Sequence, residues 1–281
     1  MGTNQTSYRH LTWPEIKEAV AKKRVALLPV GSMEGHGPHL PVDADSVIAE
    51  GVCRRVAAAI PGRVVVLPTV VYGISGHHMD FPGTITSHEG VFQDYVAGIC
   101  SSLAYHGFRR ILILNGHGGN SSALDIAARS VTLRFPETLC ASMFFGSTAK
   151  AMQLQAKLAE VEGLVGMMEH AGLMETALYL ALSDHPVDLS KARQWTVPDS
   201  LAFAFLPEGS ALHFMPRWSS ITPEGSVGDP RMASVEIVRE WLDTMVQEMA
   251  EVVTEFQEMQ LPPSVDHHDP PVTQPWRGWP R

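Results

Sequence analysis

The sequence predicts an α/β fold in which a mostly parallel sheet is covered by helices. Three observations predict it. Four short apolar runs, Val25–Val30, Val64–Val71, Ile111–Leu114 and Leu139–Phe145, are rich in β-branched or large side chains, as in strands buried on both faces. Longer amphipathic stretches separate them, at about 45–59, 89–105, 120–133 and 147–162. The 281 residues are 45% hydrophobic and 18% charged, enough apolar material for a core and far from a disordered composition.

Thr12-Trp13-Pro14-Glu15 reads as a helix start, with Thr as cap, Pro early in the first turn and Glu at the capping-box position. The resulting short helix leads into the first apolar run. Thr86-Ser87-His88-Glu89 reads as a second capping box, ahead of the helix at 89–105. A last long helix is expected from about Ser234 to Met259. Residues 1–260 thus form one domain. Residues 262–281 hold six prolines in twenty, so 261–281 is expected to be an extended arm or a disordered tail, with Trp276 and Trp279 favouring an arm docked on the body or on a neighbour.

Lys and Arg number 21 against 30 Asp and Glu, a net charge of −9, which argues against a nucleic-acid partner. No run approaches the roughly 18 apolar residues of a membrane span, and the N-terminal stretch lacks a signal-peptide pattern, so a soluble cytoplasmic protein is expected. Cys53, Cys100 and Cys140 are 47 and 40 residues apart, which excludes a CxxC site and suits a reducing compartment.

Four polar, glycine-rich segments follow the apolar runs, where ligands of open α/β sheets bind. The segment after Val30 packs Glu34, His36, His39, Asp43 and Asp45 into twelve residues. Such oxygen and imidazole donors suit zinc, manganese or iron. The same acids would also serve in a capped polar loop. Asn115-Gly116-His117-Gly118-Gly119-Asn120 follows Leu114, and its glycines free the backbone to approach a ligand. Tyr72–His78, with Phe81-Pro82-Gly83-Thr84, carries tandem histidines. Glu169–Thr176 opens an apolar helix ending near Leu182; Glu175 there also suits the helix dipole, and His170 taken alone suits an ordinary loop histidine. Met167, Met168 and Met174 are expected to pack the core, with an apolar substrate pocket as the alternative.

These motifs, in this order from Leu11 to about Leu182, resemble the creatininase (creatinine amidohydrolase) family. The resemblance implies a three-layer α/β/α sandwich, a metal-dependent hydrolase and a homo-oligomer, with a hexamer favoured. It implies metal ligands at Glu34, His36, Asp45 and His117, with Asp45 bridging, and a proton-handling histidine at His170. The family's glutamate two residues after the NGH histidine is replaced here by Gly119, which makes Glu175 the candidate ligand in its place. The Tyr that follows that histidine is Gly118 here, and a Trp-Asp pair before the proton-handling histidine is Gly166-Met167, so creatinine is not the expected substrate. The implied cofactor is one or two ions of zinc and/or manganese, with iron also compatible. His39, Asp43, Asn115 and Asn120 are expected to orient the ligands, and His170, Glu175 and His78 to form the catalytic set. The implied reaction is cleavage of an amide-type C–N bond, in a cyclic amide or a formamide of small size, by a metal-bound hydroxide. A lactonase or other ring-opening hydrolase, trimming of a peptide precursor, and a non-catalytic metal-binding protein are the alternatives. The 190–228 region is expected to carry specificity.

Overall fold

The computed structural model describes residues 5–162, 169–197, 214–263, 265–270 and 272. Four parallel strands form the sheet: β1 (Val25–Val30), β2 (Val64–Val66), β3 (Arg110–Asn115) and β4 (Leu139–Phe144), in the order β2-β1-β3-β4. The helices are α1 (Trp13–Ala21), α2 (Ala44–Ala59), α3 (Glu89–Tyr105), α4 (Ser121–Arg134), α5 (Ala149–Glu162), α6 (Leu173–Leu182) and α7 (Val235–Glu258).

The layers follow from side-chain alternation along the strands. Val25 and Leu27 of β1, with Leu112 and Leu114 of β3, pack toward α2, α6 and α7. Ala26, Leu28 and Val30, with Ile111 and Ile113, pack toward α1, α3 and α4. Every residue of β1 is buried, as its uninterrupted apolar sequence requires of a central strand. The three cysteines are buried and unpaired. Met174 lies in the first of these cores, as expected; Met167 and Met168 fall outside the described residues.

Two local expectations are corrected. The strand expected over 64–71 stops at Val66, because Pro68 has no N–H for a ladder; Val70 then rejoins Val30 by a single bridge. The capping box at Thr86–Glu89 does not form: the helix starts at Glu89 behind His88, and Thr86 Oγ1 instead accepts from the Ser75 N–H at 2.9 Å. The Thr12–Glu15 box does form, with Thr12 N–H donating to Glu15 Oε2 at 2.7 Å. No described helix is long and apolar enough to cross a membrane. The described part of 261–272 has no helix or strand; Trp276 and Trp279 lie outside the described residues.

The chain runs from β1 to β2 on one side, then returns to place β3 on the other side of β1. The loops after β1 and β3 therefore diverge at a topological switch point, which opens a crevice beyond the strands' carboxyl ends. The first turn of α2 closes on this crevice. A Cβ on Gly31 would lie 2.4 Å from Ser46 Cα, and one on Gly116 would lie 2.6 Å from the Asp45 carbonyl oxygen. Only glycine at both strand ends lets α2 come this near.

Candidate metal centre

The loop after β1 is pinned by Glu34 N–H donating to Val42 O at 2.9 Å. It delivers Glu34 and His36, both fully buried. Asp45 enters from the first turn of α2, and His36 Nε2 lies 3.1 Å from Asp45 Oδ1. His36 Nδ1 lies 3.1 Å from the Glu34 carbonyl, so donation there fixes the tautomer and leaves Nε2 facing the centre. The loop after β3 delivers His117, with Nδ1 3.2 Å from Asp45 Oδ2 and Nε2 3.3 Å from Glu34 Oε2.

The loop after β2 carries a short turn, Gly76–His78, that brings His78 Nε2 to 3.5 Å from Glu34 Oε1. His77 stacks on His117 with ring centroids 5.5 Å apart and stands edge-on to His78. Asn120 ties three loops together: its Oδ1 accepts from Ile74 N–H at 2.8 Å, and its Nδ2 donates to the Gly31 carbonyl at 3.0 Å and toward Asn115 Oδ1 at 3.4 Å. Asn115 Oδ1 also accepts from His117 N–H at 3.0 Å.

His170 is clamped by an antiparallel bridge to Val227. Ala171, at φ +50°, then turns the chain into α6 so that Glu175 faces back toward His170. His170 Nε2 lies 3.0 Å from the Gly35 carbonyl, and its Nδ1 faces Glu34 Oε1 at 3.8 Å and Glu175 Oε2 at 3.9 Å. Glu175 Oε2 also accepts from Ala171 N–H and lies 3.9 Å from His36 Nε2. Glu175 thus serves the helix start and reaches the cluster. Two of the expected orienting residues stand further off: His39 Nε2 meets Thr176 Oγ1 at 2.9 Å, and Asp43 Oδ1 accepts from Tyr179 Oη at 3.5 Å.

Trp218 covers the histidines. Its indole stacks on His78 with centroids 5.0 Å apart and meets His170 edge-on at 5.1 Å. Asp80 holds this cover, accepting from Arg217 Nη1 at 2.7 Å and from Ser219 Oγ. Trp218 lies in the region where specificity was expected but carries no local motif. His77 was visible only as half of a tandem pair; residues 198–213 and Gly166-Met167 fall outside the described residues.

The electrostatics are those of a site built for a cation. Burial pushes the Glu34 carboxyl up to about 7, although His117 pulls it down. Burial alone would lower His36 and His117; the carboxylates around them prevail and raise the two to about 10 and about 9. Burial also works against ionisation of Asp45, yet His36 and His117 hold it well below the usual carboxylate range. His170 is driven well below its ordinary value by burial first and then by the charge of His36. Burial raises Glu175.

The residues present fit a divalent ion. Both carboxylate oxygens of Glu34 are buried with no hydrogen-bond partner. Stranding a charge this way costs several kcal/mol (roughly) unless something balances it. The separations of 3.1 Å between His36 Nε2 and Asp45 Oδ1 and of 3.2 Å between His117 Nδ1 and Asp45 Oδ2 match neighbouring donors on an ion with bonds of about 2.0–2.1 Å. Glu34 with His36 and Asp45, and His36 with His170 and Glu175, each bring three ligand atoms within 4.8 Å of one another.

A family model described as creatinine amidohydrolase matches residues 9–253. A creatinine amidohydrolase of Pseudomonas putida is 34% identical over 194 residues, covering 64% of this chain and 73% of that one. A mycofactocin precursor peptide peptidase of Mycobacterium ulcerans is 29% identical over 266 residues, covering 89% of this chain and 90% of that one. A solved creatininase variant of Zn-Zn type shares the fold at a TM-score of 0.73 and 29% identity, over 90% of this chain and 98% of that one. The three-layer sandwich, the switch-point crevice lined with carboxylates and imidazoles, and these matches lead to one conclusion: the chain belongs to the creatinine amidohydrolase (creatininase) family of hydrolases.

Proposed function

We propose that the protein hydrolyses an amide-type C–N bond, in a formamide or a cyclic amide, at a divalent metal centre held by Glu34, His36, Asp45 and His117, with Glu175 as a further ligand. The observation that carries this reading is the Glu34 carboxylate, wholly buried, without a hydrogen bond to either oxygen, and set among His78, His117 and His170. A divalent ion bound there supplies Lewis acidity, lowering the pKa of a water toward ~7 and polarising a carbonyl.

The remaining work falls to side chains of this chain. His170 donates through Nε2 to Gly35 O, so its Nδ1 presents a lone pair to the centre. Burial and the charge of His36 keep that imidazole neutral at rest; the placement of its Nδ1 lone pair is what suits it to relay a proton to a leaving nitrogen. Trp218 and Phe81 flank His78 and exclude water from its far face. Asp45 holds His36 and His117 in place through its two oxygens.

The peptidase relative matches nearly the full length and favours trimming of a peptide as the second reading. Amine release should be measured on zinc-loaded protein with N-formyl amines, lactams, short peptides and lactones. Release of amine from a formamide or lactam, abolished in His170→Gln that retains its zinc, is expected. Turnover of lactones alone, or of nothing while zinc is bound, overturns the proposal.

A further inference from the structure

The tryptophans of the C-terminal segment have no part in the chemistry proposed for the metal centre. We propose that residues 273–281 of this chain dock in a groove between α2 and α7, at the end of α2 opposite Asp45.

The groove has a volume of about 630 Å³. That lies within the ~300–1,000 Å³ of clefts that hold small ligands. Its floor is apolar, with Ala58 and Ile60 from the end of α2 and Val246 and Ala250 from α7. Its rim is acidic. Asp243, Glu251 and Glu255 stand on α7, exposed and without an ion pair among the described residues. The rim's arginine, Arg55, is turned to α6, where its Nη2 donates to the Ala181 carbonyl at 3.3 Å.

The segment that complements this groove is Thr273-Gln274-Pro275-Trp276-Arg277-Gly278-Trp279-Pro280-Arg281, outside the described residues. It carries two cations and no acid, opposite in sign to the rim. Trp276 and Trp279 supply apolar surface, about 150–250 Å² each when buried. Pro275 and Pro280 fix their own φ, which reduces the entropy lost on docking.

The groove is also within reach. Arg63, three residues beyond Ile60, donates through Nη1 to Gln257 Oε1 at 2.8 Å and to Glu258 Oε1 at 3.2 Å. These bonds pin the end of α2 to the end of α7, so the groove opens where the chain leaves α7. Asp266 then folds the chain on itself, its carboxylate accepting from the His268 and Val272 N–H groups at 3.0 and 2.8 Å. The stretch from Met259 to Asp266 alone can span about 25 Å at ~3.1 Å per residue. Asp243 to Glu255 covers about 18 Å of helix. A second cleft at the same end of α7 has the wrong sign: Lys22, Lys23, Arg109 and Arg110 line it against only Glu137 and Glu258. It repels Arg277 and Arg281, so charge directs the segment to the α2–α7 groove.

Trypsin acting on the full chain tests this, because a docked segment is cut only when it opens. Cleavage after Arg277 is read from the intact mass as loss of residues 278–281. Wild type should be cut about tenfold more slowly than Glu251→Lys/Glu255→Lys, in which the rim is reversed. Arg281→Glu, which leaves the groove untouched, should be cut as fast as that variant. Glu236→Lys/Glu240→Lys, on α7 outside the groove, should match wild type, and the rates should not depend on protein concentration. If circular dichroism shows that the rim variant has lost its fold, Arg281→Glu decides alone. A folded rim variant cut no faster than wild type, or equal acceleration in Glu236→Lys/Glu240→Lys, overturns the proposal. Protection that disappears on dilution puts the segment on a second copy and overturns docking within one chain.

Discussion

The Ser32 hydroxyl donates to Asp45 Oδ2 at 2.6 Å, and both groups are buried. This bond joins the end of β1 to the first turn of α2. It fixes the carboxylate that His36 and His117 share. Partners of this kind typically contribute 10–100-fold, in order of magnitude, to metal affinity. Ser32→Ala should weaken zinc binding by about that factor and also destabilise the ion-free protein by about 1–3 kcal/mol, since a buried acceptor loses its donor. Competition against a chromophoric chelator measures the affinity.

Gly31→Ala should be severe for a different reason. The new methyl group would meet Ser46 backbone atoms at 2.4 and 2.5 Å, a contact that no side-chain rotation relieves. Separating β1 from α2 exposes both cores, so a loss of about 3 kcal/mol or more is expected, at the upper end for single substitutions. Urea unfolding of the ion-free protein reads it directly.

Trp218→Ala removes the indole that lies on His78 and His170 without touching a carboxylate ligand. Zinc content should stay at the wild-type value. Stripping of zinc by EDTA should accelerate by about tenfold, because the apolar cover controls solvent access to such a site. Unchanged stripping would mean that Trp218 does not shield the centre.

Zinc uptake should release protons. In the ion-free fold His36 and His117 are raised to about 10 and about 9, above the ordinary histidine value of 6.5. Their paired charges therefore stabilise that fold fully below pH 6.5, and the contribution is lost as pH rises through 9 and 10. A nitrogen must lose its proton before it binds an ion, so affinity rises with pH across the neutral range. Calorimetry in buffers of different ionisation enthalpy should show a proton released at pH 7; heats independent of the buffer would contradict this.

Far from the centre, Trp241 is buried between Phe145 and α5, and its Nε1 donates to the Ala151 carbonyl at 2.8 Å. Trp241→Phe keeps most of the volume but strands that carbonyl, at about 1–3 kcal/mol. Trp241→Ala should cost about 3–5 kcal/mol. Chemical unfolding of the two variants checks the order.

What the sequence made legible was the part governed by local pattern. The strands show because β1 and β3 are apolar on both faces; α2, α3 and α7 start and stop within two residues of their expected bounds, and α6 ends at Leu182 as expected. Glu34, His36 and His117 stood out because each lies in a loop just beyond a strand's carboxyl end, and Asp45 because it closes the same motif at the start of α2. The failures have tertiary causes. Thr86 has the spacing of a cap, but its hydroxyl is taken by Ser75 across the loop. His77 and His78 look equivalent in sequence; the tight turn at Gly76–His78 fans their rings 81° apart and sends both into the site. Trp218 reaches the centre from a segment distant in the chain, held by Asp80, which no spacing rule foretells.

The central claim is that Glu34, His36, Asp45 and His117 hold a divalent ion. Zinc bound per chain, measured on dialysed wild type and on Asp45→Asn, tests it most directly. At least one ion retained by the wild type and lost from a folded Asp45→Asn is the expected result. A wild type that takes up no zinc, or an Asp45→Asn that retains as much as the wild type, would contradict it.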